Sequence, residues 1–267
     1  MLSTFDKMMT VIVPLDFSET SFNAAHYAAN MYKDRPGSKI ILYHFYEKGE
    51  DISTASNYLN SIKDELTACV PDIETELESG ENFIDSLAAF AHARTAYMIV
   101  MGLTGKTALA QRFSGSNTLK MADKNVCPVL IIPPGVKYSS IKNVMISSEM
   151  KYVNESPALL AVKRVLAYFK PALHIVHINP DIHVSLPPEI KEERDKMEEL
   201  LKEFNPEFYF IRLYDFHEAV NNFTESKNID MIIIAPKHHS IYEKLFKEQH
   251  TKQLIYHSTV PVLAVHE

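Results

Sequence analysis

Short, continuously apolar runs alternate with amphipathic stretches along the chain. Val11-Ile12-Val13-Pro14-Leu15 reads as a buried strand, and a helical pattern from about Ser18 to Lys33 follows it. Lys39 to Phe45 is a second strand, Ser53 to Cys69 a helix, Ile73 to Glu78 a third strand, and Asn82 to Arg94 another helix. Tyr97 to Met101 is the fourth strand; a helix from about Ser116 to Lys124 precedes the fifth, Pro128 to Ile132. Strands without internal polar alternation, separated by amphipathic helices, predict βαβ units and a parallel sheet covered on both faces.

The order then repeats at a fixed offset of 133 residues (Val144 against Val11). His44 matches His177, Met98-Ile99-Val100 matches Met231-Ile232-Ile233, and Cys127-Pro128-Val129-Leu130 matches Val260-Pro261-Val262-Leu263. Four strands in one register predict a tandem duplication into two α/β domains, residues 1–135 and 136–267, divided at Pro133-Pro134-Gly135. Each is large enough for its own core.

Glycine usage points to one loop. The chain has only 7 glycines, all at or before Gly135, and Gly102, Gly105 and Gly115 crowd the loop after the fourth strand. There they form G-x2-G-x9-G-S, ending in Ser116 at the start of a helix. A helix N-terminus carries partial positive charge and unpaired N–H donors, which suit phosphate oxygens. Ligands on open parallel sheets bind at the carboxyl ends of the strands, where strand order reverses. Ser116, Asn117 and Thr118 add polar atoms. Two other nucleotide motifs fail: Gly105-Lys106-Thr107 imitates the end of a Walker A loop, but Val100 stands where its first glycine belongs. A dinucleotide fingerprint would follow the first strand, where Asp16-Phe17-Ser18 stands instead.

Val11 to Ser18 (VIVPLDFS), the His44-Phe45 strand end, the G-x2-G-x9-G-S loop and Cys127-Pro128-Val129-Leu130 together resemble the universal stress protein family. The resemblance implies two doubly wound five-stranded sheets of order 3-2-1-4-5, of the adenine-nucleotide α-hydrolase-like class, paired as an internal pseudo-dimer; a further homodimer is possible on the same reading. It also implies an adenine nucleotide, ATP or ADP/AMP, bound with Mg2+ at the phosphates. Carried over by position, Pro14, Leu15 and Asp16 would face the nucleoside and Phe45 the base, where the family usually has a small aliphatic residue. Gly102 would lie near the ribose, and Gly105, Gly115, Ser116 and Asn117 around the phosphates. For Asp16 the alternative is capping the next helix, a role that Ser18 fills better.

The second domain lacks these features. At the same offset Gly102 becomes Ala235, Gly105 His238, Gly115 Glu248, Ser116 Gln249 and Asp16 Glu149. A carboxylate where phosphate would approach is unfavourable, so this domain is expected not to bind ATP in the family manner.

Composition and charge narrow the function. The net charge is −7, with 11 basic against 16 acidic residues before Val136 and 16 against 18 after, so neither half offers a cationic surface for nucleic acid. No apolar run approaches the roughly 18–20 residues of a membrane span, and the first ten residues do not read as a secretory signal. Two cysteines, Cys69 and Cys127, suit a reducing cytoplasm and read as inert thiols. The His238-His239 pair, with His217, His250 and His257, has no ligand spacing of a known metal motif. His44 and His177 read as a repeated structural hydrogen bond, Lys106 and Arg112 as solvated or phosphate-steering cations, and Glu189 to Glu203 as an exposed amphipathic helix. No nucleophile–base pair or carboxylate dyad is evident. The sequence therefore reads as an ATP-binding stress-response regulator with one site in the first domain. The alternatives are a slow ATPase or nucleotidyl enzyme in the same pocket, or a nucleotide-independent interaction module.

Overall fold

A computed structural model of the chain describes residues 9–33, 35–49, 51–103, 115–150, 153, 156–179, 186–234 and 254–265. The chain divides into two compact units, Met1–Ser139 and Ser140–Glu267.

In the first unit, strands β1 (Met9–Pro14), β2 (Ser38–Glu47), β3 (Ile73–Gly80), β4 (Met98–Gly102) and β5 (Val129–Ile132) lie in the order β3-β2-β1-β4-β5. Every neighbouring pair is parallel. Val11, Ile12, Val13, Ile40, Leu42, Ile99 and Val100 are fully buried, as strands covered on both faces require. Helices α1 (Glu19–Met31), α2 (Ser53–Thr67), α3 (Phe83–Ala93) and α4 (Gly115–Ala122) connect them. Local chemistry sets their starts. Ser18 caps α1 by accepting the Ser21 N–H, and Asn82 caps α3 by accepting from Ile84 and Asp85. On α2 the buried Ala55, Leu59, Ile62 and Leu66 recur at alternating steps of four and three, one helical face. On α1 the buried residues include Ala24, Ala25, Ala28 and Ala29, small enough for the helix to lie close on the sheet, beside the larger Tyr27 and Met31.

The first unit runs a little past the Pro-Pro-Gly turn where the boundary was expected. Asn23 on α1 donates to Val136 O (3.0 Å) and accepts from Lys137 Nζ (3.0 Å), while Tyr27 and Tyr138 meet edge to face at 5.4 Å. These contacts tie residues 136–138 to α1.

The second unit contains β6 (Asn143–Ser147), α5 (Pro157–Phe169), β7 (Ala172–Ile178), α6 (Pro188–Leu201), β8 (Glu207–Ile211), α7 (Phe216–Ser226), β9 (Met231–Ile234) and β10 (Val262–Ala264). Its parallel strands follow the order β10-β9-β6-β7-β8, the same topology as the first unit. Helix α6 buries Met197 and Leu201 and leaves its charged residues mostly in solvent, as its pattern predicted.

The offset of 133 also appears in the backbone. Phe17 (φ 61°) and Met150 (φ 51°) are left-handed just after the first strand of each unit; Thr95 and Asn228, both at φ 49°, are left-handed after a helix. His44 Nδ1 donates to Leu15 O (2.7 Å), and His177 Nδ1 donates to Ser148 O (3.0 Å), the same bond at the same offset. These two histidines tie the end of one strand to its neighbour, as the sequence reading held.

One substitution within the repeat has a thermodynamic consequence. Ile41 is fully buried on β2, and its counterpart on β7 is His174, 6% exposed and packed against Tyr209 and Phe223. Neither ring nitrogen of His174 has a hydrogen-bond partner among the described residues; the Glu207 carboxylate is 3.7 Å from Nδ1. Desolvation holds the imidazole pKa below its ordinary value, Glu207 opposes that shift, and Lys227 reinforces it. A depressed pKa means that the unfolded chain takes up this proton first as pH falls. Its contribution to stability is therefore whole above about pH 6.5 and is lost below it, by at most about 1.4 kcal/mol per pH unit. His174→Ile is expected to flatten the fall of melting temperature between pH 7 and pH 5. An unchanged pH slope in that variant would contradict the assignment.

Candidate functional site

The strand order reverses beside β1, which has β2 on one side and β4 on the other. At the carboxyl ends of these strands the first unit holds a cleft of about 360 Å³. Pro14, Leu15 and Asp16 enter it from the end of β1, His44 and Phe45 from β2, and Met101 and Gly102 from β4. Thr20 and Ser21 come from the first turn of α1, Phe83 from the start of α3, and Asn117 and Thr118 from α4.

Asp16 does not cap α1. Its Oδ1 accepts from the Ser18 N–H (3.1 Å) and Ser18 Oγ (2.5 Å), while Ser18 itself caps the helix. Desolvation by the surrounding protein works against the charge on Asp16, but the Ser18 hydroxyl and N–H, with the Ser21 hydroxyl, outweigh it and hold the carboxyl below its usual range. Asp16 is therefore ionised at neutral pH and exposed at the cleft. It is the carboxylate that lines the cleft among the described residues.

Between Asp16 and α1, Phe17 adopts its left-handed backbone. This is costly for a bulky residue, of the order of 1–3 kcal/mol. Its ring lies against the His44 imidazole at 4.4 Å and near the Tyr58 ring at 5.4 Å. That packing fixes the turn which delivers Asp16 and Ser18.

Gly102 has a reason that the sequence did not show. A Cβ at this position would lie 2.3 Å from Thr20 O and 2.6 Å from Thr20 C, inside the backbone of α1. The missing side chain lets the first turn of α1 close onto the end of β4 and brings Thr20 and Ser21 to the cleft. The Gly102 carbonyl accepts from Thr118 Oγ1 (3.0 Å), and Thr118 is 1% exposed. That hydroxyl holds α4 to β4, and its proton is already committed.

Phe45 packs at the far side. Its ring meets Phe83 edge to face at 5.9 Å. A Cβ on Gly80 would come within 2.9 Å of it, so the glycine at the end of β3 makes room for the ring.

The fold thus gathers Pro14, Leu15, Asp16, Phe45, Gly102 and Asn117 around one cleft. Gly115 and Ser116 form the start of α4 in the backbone. Gly105 lies outside the described residues, as do Lys106, Arg112, Ala235, His238, Glu248 and Gln249. Glu149, the counterpart of Asp16, is exposed at the end of β6. Sequence reasoning missed Thr20, Ser21, Met101 and Phe83 as lining residues. Met101 sits next to Gly102, and Thr20 and Ser21 follow Ser18 by two and three positions. Phe83 follows β3 directly through the Asn82 cap, so extending the strand-end rule to β3 would have found it.

Other groups offer less chemistry. Desolvation pushes the half-buried Cys127 thiol up to about 12, so it stays protonated at neutral pH. Among the described residues no group of three or more His, Cys, Asp or Glu side chains is placed to hold a metal ion. None of the described helices is long and apolar enough to cross a membrane.

Comparison with known proteins agrees with this geometry. Residues 8–133 match the model of the universal stress protein family. No curated protein gives a significant match. Among solved structures, the chain is similar to a universal stress protein from Archaeoglobus fulgidus DSM 4304, at 19% identity and a TM-score of 0.66 over 96% of this chain and 98% of that one. It is also similar to a protein of unknown function from Pseudomonas aeruginosa PAO1, at 13% identity and a TM-score of 0.67 over 98% and 93% of the two chains. The cytoplasmic domain of a prokaryotic cation chloride cotransporter shares the fold at 10% identity, with a TM-score of 0.56 and 96% and 94% covered. These structural likenesses speak for the fold, and the family match speaks for the first unit. The first unit, over residues 8–133, belongs to the universal stress protein family.

Proposed function

We propose that the first unit binds an adenine nucleotide, ATP or its di- or monophosphate, in the cleft at the carboxyl ends of β1, β2 and β4, as a regulatory ligand. The observation that carries this reading is the polarity of the cleft. An ionised Asp16 beside Pro14 and Leu15 marks one side, and Asn117 and the start of α4 mark another. A carboxylate repels phosphates and accepts from sugar hydroxyls, so the nucleoside belongs beside Asp16. The phosphates belong toward Gly115 and Ser116, where the unpaired amides of a helix start favour anions. The close approach of α1 at Gly102 also supports this reading, since it brings two hydroxyl side chains to the same space. Mg2+ carried in with the phosphates would offset part of their charge; Gly105 belongs to the same phosphate-binding loop on this reading.

The reading is regulatory because, among the described lining residues, Asp16 is the single carboxylate and so forms no dyad, and the Ser21 and Thr118 hydroxyls donate to the Ser18 and Gly102 carbonyls. The two free cysteines suit a reducing compartment such as the cytoplasm. The role is that of a stress-response module with one nucleotide site per chain.

Calorimetric titration of the full chain with Mg-ATP tests this. One site per chain is expected, with the nucleotide recovered intact after hours at 25 °C. Asp16→Asn should weaken ATP and adenosine about tenfold, the loss of roughly one charge-assisted hydrogen bond. Absence of any heat with ATP, ADP and AMP would overturn the reading, and rapid release of phosphate would replace the regulator with an enzyme.

A further inference from the structure

The cleft has an aromatic wall whose purpose neither the glycine loop nor Asp16 explains. Phe45 stands at the end of β2 and Phe83 at the first residue of α3, and both are half-buried where they line the cleft. Their ring planes meet at 64° with centroids 5.9 Å apart, which makes an angled corner. Three features hold that corner in place. Gly80 leaves the space that Phe45 fills, since a Cβ there would stand 2.9 Å from the ring. Residues Phe45 and Glu78 are paired in the β2–β3 ladder, which fixes the height of the ring along the sheet. Asn82 caps α3 through Ile84 and Asp85 and so fixes the residue that follows it, Phe83. Two large rings left half-exposed in a cleft whose other side chains include Asp16, Thr20, Ser21 and Asn117 divide it by chemistry. One part is polar, and the other offers π surface and apolar contact.

We propose that Phe45 and Phe83 form the seat for the nucleobase and supply base affinity by stacking, with Gly80 positioning Phe45. The inference rests on the nucleotide reading of this cleft and adds to it which chemistry holds the base. Flat heteroaromatic rings gain from contact with aromatic side chains regardless of the pattern of donors on their edges. The base is thereby recognised by its plane, and Asp16 and the start of α4 contact the sugar and the phosphates.

The test compares the full chain with Phe45→Leu, Phe83→Leu and Phe83→Tyr. Each is titrated with Mg-ATP and, separately, with inorganic tripolyphosphate, which carries the charge of the phosphates without a base. Circular dichroism and melting curves establish that each variant is folded. Loss of one stacking contact should weaken ATP about tenfold in each leucine variant, while Phe83→Tyr, which keeps a ring, stays within about twofold of the parent. Tripolyphosphate affinity should be the same in all four proteins. Gly80→Ala provides a variant that touches no ligand. It should displace the Phe45 ring and weaken ATP without changing tripolyphosphate. ATP affinity unchanged in both leucine variants would overturn the stacking role and leave the nucleotide site standing. A parallel loss of ATP and tripolyphosphate would overturn it in favour of general distortion of the cleft. A parent protein that binds neither probe would overturn the nucleotide reading itself, and this proposal with it.

Discussion

Gly102→Ala is expected to destabilise the first unit by about 3 kcal/mol, enough to lower its melting temperature by roughly 10 °C. The reason is steric. The added Cβ would stand 2.3 Å from Thr20 O and 2.6 Å from Thr20 C, and the obstacle is helix backbone, which cannot rotate away as a side-chain tip would. Either α1 moves off β4 or the end of β4 bends. The first response withdraws Thr20 and Ser21 from the cleft, and the second strains the Thr118 Oγ1 bond to Gly102 O. Nucleotide binding should therefore be lost together with stability. Thermal melting of the variant checks this directly; a melting temperature within 2 °C of the parent would show that the helix accommodates the methyl group and that the glycine serves some other purpose.

Gly115→Val should give the opposite separation. Gly115 is the first residue of α4, at the helix start that the nucleotide reading assigns to the phosphates. A branched side chain there crowds that approach while the strands of the sheet remain as they are. ATP affinity is expected to fall at least about 30-fold, the equivalent of one or two charge-assisted hydrogen bonds, with a melting temperature close to that of the parent. Adenosine, which lacks phosphates, should bind the variant and the parent about equally. Retention of full ATP affinity in this variant would place the phosphates elsewhere. On the nucleotide reading, two glycines of one motif would divide their duties: Gly102 admits a helix, and Gly115 would admit the ligand.

That division could not be read from the motif. The sequence identified G-x2-G-x9-G-S and its place after a strand, because glycine is scarce in this chain and three of them fall in one loop. It could not tell close helix packing from ligand contact, since both need a missing side chain. Only the 2.3 Å approach of Thr20 O separates them. The strands were legible for a simpler reason. Runs such as Val11-Ile12-Val13 and Met98-Ile99-Val100 are buried on both faces and carry no polar residue to blur their limits. Helix starts were legible where Ser18 or Asn82 announced a cap. The fixed offset placed the strand ends of the second unit from those of the first. It also brought out the His44 and His177 pair, whose matched bonds to Leu15 O and Ser148 O are an interaction between neighbouring strands.

What stayed hidden depends on contacts between segments distant in the chain. Phe83 lies next to Phe45 because β3 pairs with β2, a juxtaposition that no local pattern encodes. Residues 136–138 join the first unit because Asn23 and Tyr27 reach them across more than a hundred positions. His174 reads as an ordinary strand residue until the packing of Tyr209 and Phe223 shows that its imidazole is shut away from water. Asp16 had two readings, contact with a nucleoside and capping of the next helix, and Ser18 was the better cap. The observed bonds from Ser18 remove the second, because they leave the cap to the serine and the carboxylate charged at the cleft.

The most direct test of a single nucleotide site in the first unit is photolabelling of the full chain with 8-azido-ATP, followed by peptide mapping with and without excess ATP. Label confined to peptides that carry the ends of β1, β2 and β3, at about one per chain and displaced by ATP, is the expected result. Label that ATP displaces from the second unit, or no displaceable label at all, would contradict it.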